Sequence, residues 1–137
     1  MEGTWFPLPP AKLAEHIHPL ALAYIGDAIY EVYIRQYLLS QLNHRPDHLH
    51  RQATKYVSAK AQAKLLNDML PSLSETELAI VKRGRNAKSG SAPKSADVLE
   101  YRQSTAFECL LGYLYYTHNL DRLNELLAQA VHEVEGK

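Results

Sequence analysis

Residues 19–34 read PLALAYIGDAIYEVYI, which is the most apolar stretch of the chain. Apolar residues recur in it at spacings of three and four, and the pattern continues beyond it, so it predicts a helix over residues 19–42. Pro19 suits the first turn of such a helix. Asp27 and Glu31 interrupt the stretch, which is also shorter than the about 20 apolar residues that cross a bilayer. We therefore expect a helix of a globular protein and no membrane span.

Two further regions carry helix signals. Residues 46–70 predict a second helical region, with Ser58 as an internal cap or break. Ser74, followed three residues later by Glu77, forms a capping box that begins a short helix. This helix is expected to stop near Gly84, because glycine is the common residue just beyond a helix end.

The remainder of the chain completes the predicted architecture. Residues 85–96 have no apolar periodicity and are rich in Ser, Gly, Pro and Lys, which predicts a loop. A final pair of helices is predicted over residues 98–117 and 120–135. The predicted fold class is therefore all α. We expect one domain spanning residues 1–137, because this length leaves little room for a second unit with its own core.

The composition is that of a globular protein, because 46% of the residues are hydrophobic and 22% are charged. Fifteen Lys and Arg balance fifteen Asp and Glu, so the overall charge favours no nucleic-acid or membrane partner. The charges are segregated, however, since residues 43–97 hold ten basic and five acidic residues. The single cysteine, Cys109, cannot form an internal disulfide, and the N-terminus has no signal-peptide pattern, so we expect a cytoplasmic protein.

Two of the predicted helices each carry an acid beside a glycine. Gly26 and Asp27 interrupt the apolar face of the first helix, and Glu108 precedes Gly112 by one turn in a later helix. Glycine inside a helix costs roughly 1 kcal/mol relative to Ala, which suggests that another backbone approaches closely. If the two faces pack together, Asp27 is partly buried and lies near Glu108. Such a pair needs a cation or a basic partner, and Mg²⁺ is the natural candidate because it binds through one or two carboxylates.

The residues alone also allow purely structural roles for these acids. Each carboxylate could be satisfied by a nearby Arg, Tyr or helix N-terminus. Glu31, one turn after Asp27, could extend the acidic face, although we favour a surface ion pair with Arg35 four residues later. Cys109 lies on a different helical face from Glu108, which indicates a packed thiol and not a nucleophile.

A basic run, KRGRNAKSGSAPK over residues 82–94, holds five positive charges and no acid. A cationic loop of this kind suits phosphate backbones, because Lys and Arg contacts fix register without reading sequence. A second basic group on residues 51–64 could form a stripe, although an ordinary solvated helix face is the simpler interpretation for any single residue there. The residues predicted to bind nucleic-acid phosphates are Arg51, Lys60, Arg83, Arg85, Asn86, Lys88 and Lys94.

Two motifs resemble those of the ribonuclease III family. Residues 24–29, YIGDAI, resemble its signature helix, in which an aromatic residue, an aliphatic residue, Gly and Asp follow in that order. Residues 105–115, TAFECLLGYLY, resemble the second acidic helix of the family. The motifs stand in the family's order, and the resemblance covers most of the chain. It implies a helical catalytic domain that works as a homodimer, with no double-stranded-RNA-binding domain after it.

The resemblance also implies an activity. A ribonuclease of this family cleaves double-stranded RNA, and Asp27 and Glu108 would be the catalytic acids that ligate Mg²⁺. The metal would activate a water for in-line attack on a phosphodiester, leaving a 5′ phosphate and a 3′ hydroxyl. Asp47 aligns weakly with a further family acid. Because RNA duplexes are recognised through their shape, phosphates and 2′-hydroxyls, the basic loop would hold the duplex on the catalytic domain itself.

The chain departs from the larger ribonucleases III at three acidic positions. They have glutamates where this chain has Leu20 and Ala23, and an aspartate where it has Thr105. These departures, and the run RGRNAKSG over residues 83–90, resemble Mini-ribonuclease III, the short bacterial form of the family. That likeness implies maturation of precursor 23S ribosomal RNA on a partly assembled ribosomal particle. The alternatives are a catalytically inactive, ribosome-associated RNA-binding module and a helical interaction domain.

Overall fold

The computed structural model describes residues 8–87 and 97–135. All regular elements in this part of the chain are helical, which confirms the predicted all-α class. In chain order the α-helices are α1 (Pro19–Leu39), α2 (Pro46–Val57), α3 (Ala59–Met69), α4 (Glu75–Asn86), α5 (Val98–Tyr116) and α6 (Leu120–Glu135). Two short 3-10 helices, Ala14–His16 and Leu70–Ser72, precede α1 and follow α3.

The first helix begins where its local sequence predicts and ends earlier than expected. The His18 ring accepts a hydrogen bond from the backbone N–H of Leu20 at 3.1 Å, and Pro19 occupies the first helical position. The helix ends at Leu39 and not at residue 42, because Leu42 is fully exposed and does not continue the buried face. Within residues 8–87 and 97–135, no helix combines the length and the apolar character needed to cross a bilayer.

Two predicted helix starts are confirmed by their hydrogen bonds. Ser58 adopts an extended backbone that separates α2 from α3, and its hydroxyl accepts from the N–H of Ala61 at 3.1 Å. At the start of α4, the N–H of Glu77 donates to the Ser74 hydroxyl at 3.1 Å, and the N–H of Ser74 donates to the Glu77 carboxylate at 2.9 Å. These reciprocal bonds form the predicted capping box.

The predicted end of α4 was wrong. The helix continues through Gly84 to Asn86, so Arg85 and Asn86 are helical and do not belong to the loop. A Cβ added to Gly84 would lie 2.9 Å from the Cα of Ala106 in α5, so this glycine serves close packing within a helix. The positive charges in the last turn of α4 also lie at the negative end of the helix dipole, which favours the longer helix.

Helix α5 lies at the centre of the fold and makes its most extensive contacts with α1, α4 and α3. Its Phe107 is fully buried and meets Tyr30 of α1 edge to face, with the ring centroids 5.2 Å apart. The Tyr30 hydroxyl donates to the backbone carbonyl of Tyr56 in α2 at 3.0 Å, so the polar end of this buried side chain is satisfied. The contact between α1 and α5 is therefore part of the protein core.

A buried ion pair joins α4 to α6. Arg122 contacts the Glu77 carboxylate through Nε at 2.8 Å and Nη2 at 2.9 Å, and Nη2 also donates to the carbonyl of Ser72 at 3.0 Å. The Arg122 guanidinium holds the pKa of the buried Glu77 carboxyl below its usual value. Glu77 thus serves both the capping box of α4 and the contact of α4 with α6.

Candidate active site

The two glycines that accompany the acids lie where α1 crosses α5. A Cβ added to Gly26 would stand 1.8 Å from the carbonyl oxygen of Glu108, and one added to Gly112 would stand 2.1 Å from that of Leu22. Real Cβ atoms do not come so close to backbone oxygens, so only glycine permits this crossing. The close approach of backbones inferred from the two glycines is confirmed.

This crossing brings the two predicted acids together. The Asp27 and Glu108 carboxyl groups lie within hydrogen-bonding reach of each other. Burial, followed by the negative charge of Asp27, raises the pKa of Glu108 to about 8. In the described residues, none of the ion pairs to Lys, Arg or His involves either acid. The sequence-based alternative that an Arg neutralises the pair therefore finds no support in this part of the chain.

The expectation that Asp27 is partly buried was wrong. Asp27 is exposed, whereas Glu108 is largely shielded. Successive residues of an α-helix are rotated by about 100°, so when Gly26 faces α5 the next side chain points to the edge of the crossing. The pair therefore combines one acid open to solvent with one acid set into the core surface.

Sequence reasoning missed a third polar side chain at this place, Gln62 of α3. Its Nε2 donates to Oε2 of Glu108 at 3.4 Å and to the backbone carbonyl of Val57 at 3.0 Å. The sequence near Gln62 offered one signal, the Ser58 cap four residues earlier. The cap fixes where α3 begins and therefore which residues share a face of the helix with Gln62. A residue 46 positions away from Glu108 cannot be assigned to it by periodicity alone.

The donor set at the crossing fits a divalent cation such as Mg²⁺. Two carboxyl groups are held together, none of the ion pairs among the described residues joins a positive side chain to either, and burial beside Asp27 raises the pKa of Glu108 to about 8. No group of three or more His, Cys, Asp or Glu that could hold a metal occurs in residues 8–87 and 97–135. The protein would therefore supply two carboxylates, which suits Mg²⁺ because this ion keeps several water ligands.

The positions at which the chain departs from the larger ribonucleases III carry no replacement acids. Ala23 is buried in the core, and Leu20 is half-buried near the start of α1. The Thr105 hydroxyl donates to the backbone carbonyl of Tyr101 at 3.1 Å, so it is used within α5. None of these three side chains adds a carboxylate to the pair.

Two other acids considered from the sequence have basic partners. Glu31 forms the expected pair with Arg35 at 3.3 Å, although its charge also contributes to the raised pKa of Glu108. Asp47 lies 3.2 Å from Arg51 and 3.9 Å from Arg45, all on exposed side chains. Asp47 therefore does not join Asp27 in a metal-binding group in the described part of the chain.

The basic residues predicted to bind RNA fall into different settings. Arg51 is exposed and paired with an acid, whereas Lys60 is exposed in the first turn of α3. Arg85 is half-buried and Asn86 is exposed at the end of α4. Two further predicted contacts, Lys88 and Lys94, lie outside the described residues.

Arg83 has a structural contact that its sequence context did not indicate. Its guanidinium donates to the carbonyls of Glu15 at 3.5 Å and Ile17 at 3.4 Å, which ties α4 to the segment before α1. Its charge also offsets part of the effect of burial, which raises the pKa of the Cys109 thiol to about 12. Cys109 is buried as expected for a packed thiol.

Comparison with known proteins places these features in a family. The model of the Ribonuclease III domain matches residues 20–119, a range that contains both acids and both crossing glycines. Mini-ribonuclease 3 of Brevibacillus brevis is 50% identical over 120 residues, covering 88% of this chain and 90% of the relative. Mini-ribonuclease 3 of Enterococcus faecalis is 52% identical over 122 residues, covering 88% and 92%.

A solved structure extends the comparison to the fold. The crystal structure of a protein from Fusobacterium nucleatum superposes with a TM-score of 0.79 at 29% identity, covering 90% of this chain and 98% of that one. Family model, sequence relatives and fold agree over most of the chain. The chain belongs to the ribonuclease III family, and it is an endoribonuclease.

Proposed function

We propose that this endoribonuclease matures precursor 23S ribosomal RNA by Mg²⁺-dependent cleavage of a double-stranded segment, with Asp27 and Glu108 as the metal-binding catalytic acids. Family membership makes double-stranded RNA the substrate class. The likeness to Mini-ribonuclease 3 relatives supports the ribosomal target, which would be met in the cytoplasm on a partly assembled ribosomal particle. The observation that carries the proposal is the contact of two carboxylates at a crossing that only glycines permit.

The two acids have complementary places in this proposal. Asp27 is exposed and can be approached by a bulky RNA backbone, whereas Glu108 is shielded and held by Gln62. Asp27 and Glu108 would hold the Mg²⁺ ion, which would supply an activated water and stabilisation of the charge that develops on the leaving 3′ oxygen. The close backbone contacts at Gly26 and Gly112 set the separation of the two helices that carry these acids.

The RNA would be held by the catalytic domain itself. Lys60, Arg85 and Asn86 offer accessible polar groups on α3 and at the end of α4, and the basic run continues from there. Such contacts position a duplex without reading its sequence. Arg83 contributes less than its charge suggests, because its guanidinium already contacts two backbone carbonyls.

A homodimer belongs to the same proposal. Tyr24 is 84% exposed on the α1 turn that precedes Asp27, and Leu99 is 63% exposed near the start of α5. Large apolar side chains exposed on a small protein are typical of interaction surfaces. A second copy covering α1 would place two acid pairs in one particle, so each strand of a duplex would meet one pair.

The second candidate is a catalytically inactive RNA-binding module with the same fold. The observation that favours it is the absence of acids at Leu20, Ala23 and Thr105, which leaves two carboxylates at the crossing. The two candidates differ in one result, since only the enzyme changes its RNA when Mg²⁺ is added.

The deciding experiment incubates the purified protein with long, fully paired RNA, with and without Mg²⁺. We expect cutting that needs Mg²⁺ and falls about a thousandfold in Asp27→Asn, because that change removes a metal-binding charge but keeps the shape. Asp121→Asn, an exposed helical aspartate outside the pair, is the matched control. Single-stranded RNA and DNA should stay whole. Equal cutting by Asp27→Asn would remove this acid from the mechanism.

The ribosomal target is tested with a precursor 23S transcript, free and in a ribosomal particle. The proposal expects one or a few discrete cuts in a paired segment, with a 5′ phosphate on each product. A precursor that is bound but stays whole in both forms, together with an uncut synthetic duplex, would favour the inactive module.

Measuring the affinity for duplex RNA tests the role of the basic run over residues 82–94 separately from cleavage. Replacing Arg85 and Lys88 together with Ala should weaken binding and reduce the slope of log affinity against log salt by about 2, since each lost phosphate contact removes about one unit. A charge-matched control replaces Lys12 and Arg35, which lie outside the basic run. Equal effects of the two double variants would reduce the basic run to an ordinary solvated surface.

A further inference from the structure

Gln62 is a polar side chain set in an apolar part of the core. It is 2% exposed, and its neighbours along α3 that face the core are Ala63, Leu65 and Leu66. Both hydrogens of its Nε2 are used, one by the carbonyl of Val57 and one by Oε2 of Glu108. Its Oε1 is buried and has no hydrogen-bond partner among residues 8–87 and 97–135.

The orientation of this amide follows from its neighbours. The opposite orientation would place Oε1 against the Val57 carbonyl, where two acceptors repel each other, and would remove the hydrogen bond that Nε2 donates to Glu108. The amide therefore points its donors at the acid and leaves its oxygen unpaired. An unpaired buried acceptor destabilises a fold, so an apolar side chain of similar volume would serve the packing of α3 on α5 better.

What the glutamine adds is a fixed position for Glu108. The Val57 carbonyl lies in the last turn of α2, next to the Ser58 break, so it is a backbone anchor on a different helix from Glu108. Gln62 links this carbonyl to Glu108, because its Nε2 also donates a hydrogen bond to Oε2 of the acid. The second carboxyl oxygen of Glu108 takes no part in that bond. The carboxylate is thereby held at the crossing of α1 and α5, where Asp27 stands.

We propose that Gln62 is a positioning residue that holds the Glu108 carboxylate, through Nε2, in the orientation in which it and Asp27 bind the divalent cation. This inference rests on the proposed function of the acid pair. Gln62 does not touch the RNA or the reacting atoms in this proposal. It acts through Glu108, in the way that groups behind a metal ligand commonly set its orientation.

The test replaces Gln62 with Met, which keeps the length of the side chain and removes its donors. The matched control is Gln103→Met, because Gln103 of α5 donates to Asn67 of α3 at 3.4 Å and so joins the same two helices by a bond of the same length. Thermal unfolding of both variants shows that they fold. Gln62→Met is expected to unfold no earlier than the control, since it also removes the unpaired acceptor.

Kinetics separate positioning from packing. Gln62→Met should lower kcat on duplex RNA about tenfold or more and raise the Mg²⁺ concentration at half-maximal rate about tenfold. Its KM for RNA should stay within about twofold, because no RNA contact is lost. The control should retain the wild-type kcat and Mg²⁺ dependence. If the wild-type enzyme cleaves RNA and Gln62→Met has the same kcat and the same Mg²⁺ dependence, the inference is overturned.

A measurement on the uncleaved protein makes the inference independent of activity. The side-chain amide signals of Gln62 in a ¹H–¹⁵N spectrum are identified by sequential assignment of the wild-type protein. Adding Mg²⁺ without RNA should shift them, and Glu108→Gln should shift them as well, while the Gln103 signals stay in place. Gln62 signals that respond to neither change would overturn the inference even if the Met variant failed to fold. A wild-type protein that cuts no RNA would instead refute the proposed function.

Discussion

Two shielded glutamates on neighbouring helices of this protein have opposite surroundings. Glu77 of α4 meets the Arg122 guanidinium at 2.8 and 2.9 Å, and its pKa is lowered. Glu108 of α5 meets Asp27, and burial together with that like charge raises its pKa. A buried acid that stabilises a fold commonly forms an ion pair with a basic side chain of the same protein. Glu108 has no ion pair with a basic side chain among the described residues, which agrees with the proposed metal-binding role.

The largest expected effect on folding comes from closing the crossing itself. Gly26→Ala would put a Cβ 1.8 Å from the Glu108 carbonyl oxygen, so backbone must move and we expect a loss of about 4 kcal/mol in the free energy of unfolding. The gain of roughly 1 kcal/mol in helix propensity does not offset this. Chemical denaturation measures the loss. Gly84→Ala, on the helix of Glu77, meets Ala106 Cα at 2.9 Å and should be milder, so an equal effect would contradict the geometry.

The next effect separates the two glutamates directly. Glu77→Gln breaks a buried pair and leaves Arg122 with the more exposed Glu125, at 3.5 Å, as its acidic partner, so we expect a loss of about 2 kcal/mol in the free energy of unfolding. Glu108→Gln should leave the free energy of unfolding unchanged or raise it, because the variant no longer has a carboxyl group whose ionisation favours the unfolded chain above pH 4.5.

Activity of the same two variants should show the reverse order. Glu77→Gln retains cleavage at temperatures where it is folded, whereas Glu108→Gln loses it. Urea unfolding and a duplex cleavage assay give the free energy of unfolding and the cleavage rate of each of the two variants. If Glu77→Gln were stable and inactive while Glu108→Gln remained active, the roles assigned to the two glutamates would be contradicted.

The pH dependence of stability should differ in sign between the two acids. The lowered pKa of Glu77 gives stability that is present above the usual value of 4.5 and is lost as the pH falls through the folded-state pKa. Glu108, with a pKa raised from 4.5 to about 8, keeps a proton in the folded protein that the unfolded chain has released. The metal-free protein should therefore lose stability as the pH rises from 4.5 to about 8.

Thermal unfolding measured from acidic pH to about pH 8 follows both parts of the stability curve, an acid limb governed by Glu77 and an alkaline limb governed by Glu108. We expect a fall of about 5 °C in Tm on the alkaline limb, which Glu108→Gln abolishes and added Mg²⁺ opposes. Glu77→Gln should flatten the acid limb alone. An alkaline limb that persists in Glu108→Gln would assign it to another group.

The smallest expected effect concerns Glu31. Arg35→Ala removes its exposed partner at 3.3 Å and should change the free energy of unfolding by less than about 0.5 kcal/mol. The released Glu31 charge lies near Glu108, so the Mg²⁺ dependence of cleavage measures whether it adds to the acid pair. An unchanged dependence would show that Glu31 serves the surface pair only.

Much of the fold and the centre of the site could be predicted from the sequence. The Ser58 break, the Ser74 capping box and the Pro19 start depend on neighbouring residues, and local hydrogen bonds confirm the two caps. The close crossing could be predicted because a glycine within a helix destabilises it unless a neighbouring backbone needs the space. The end of α4 could not, since Gly84 is also a glycine within a helix and only its packing on α5 distinguishes it from a helix stop.

The contacts that decide what each polar side chain does were beyond the sequence. Gln62 and Glu108 are 46 positions apart, Arg122 and Glu77 are 45 apart, and Arg83 reaches carbonyls 66 and 68 positions away. Periodicity orders residues around one helix and contains no information on which helix lies opposite.

The sequence by itself determined that the chain is helical, where α1, α3 and α4 begin and the two glycine–acid motifs that indicate the family, because each cap or motif depends on residues within a few turns of one another. Only the tertiary structure decided that Asp27 is exposed while Glu108 is shielded, that Gln62 donates a hydrogen bond to Glu108, and that Glu77 pairs with Arg122. Burial and charge pairing depend on what packs against a side chain, and the neighbours that fix them come from distant parts of the chain.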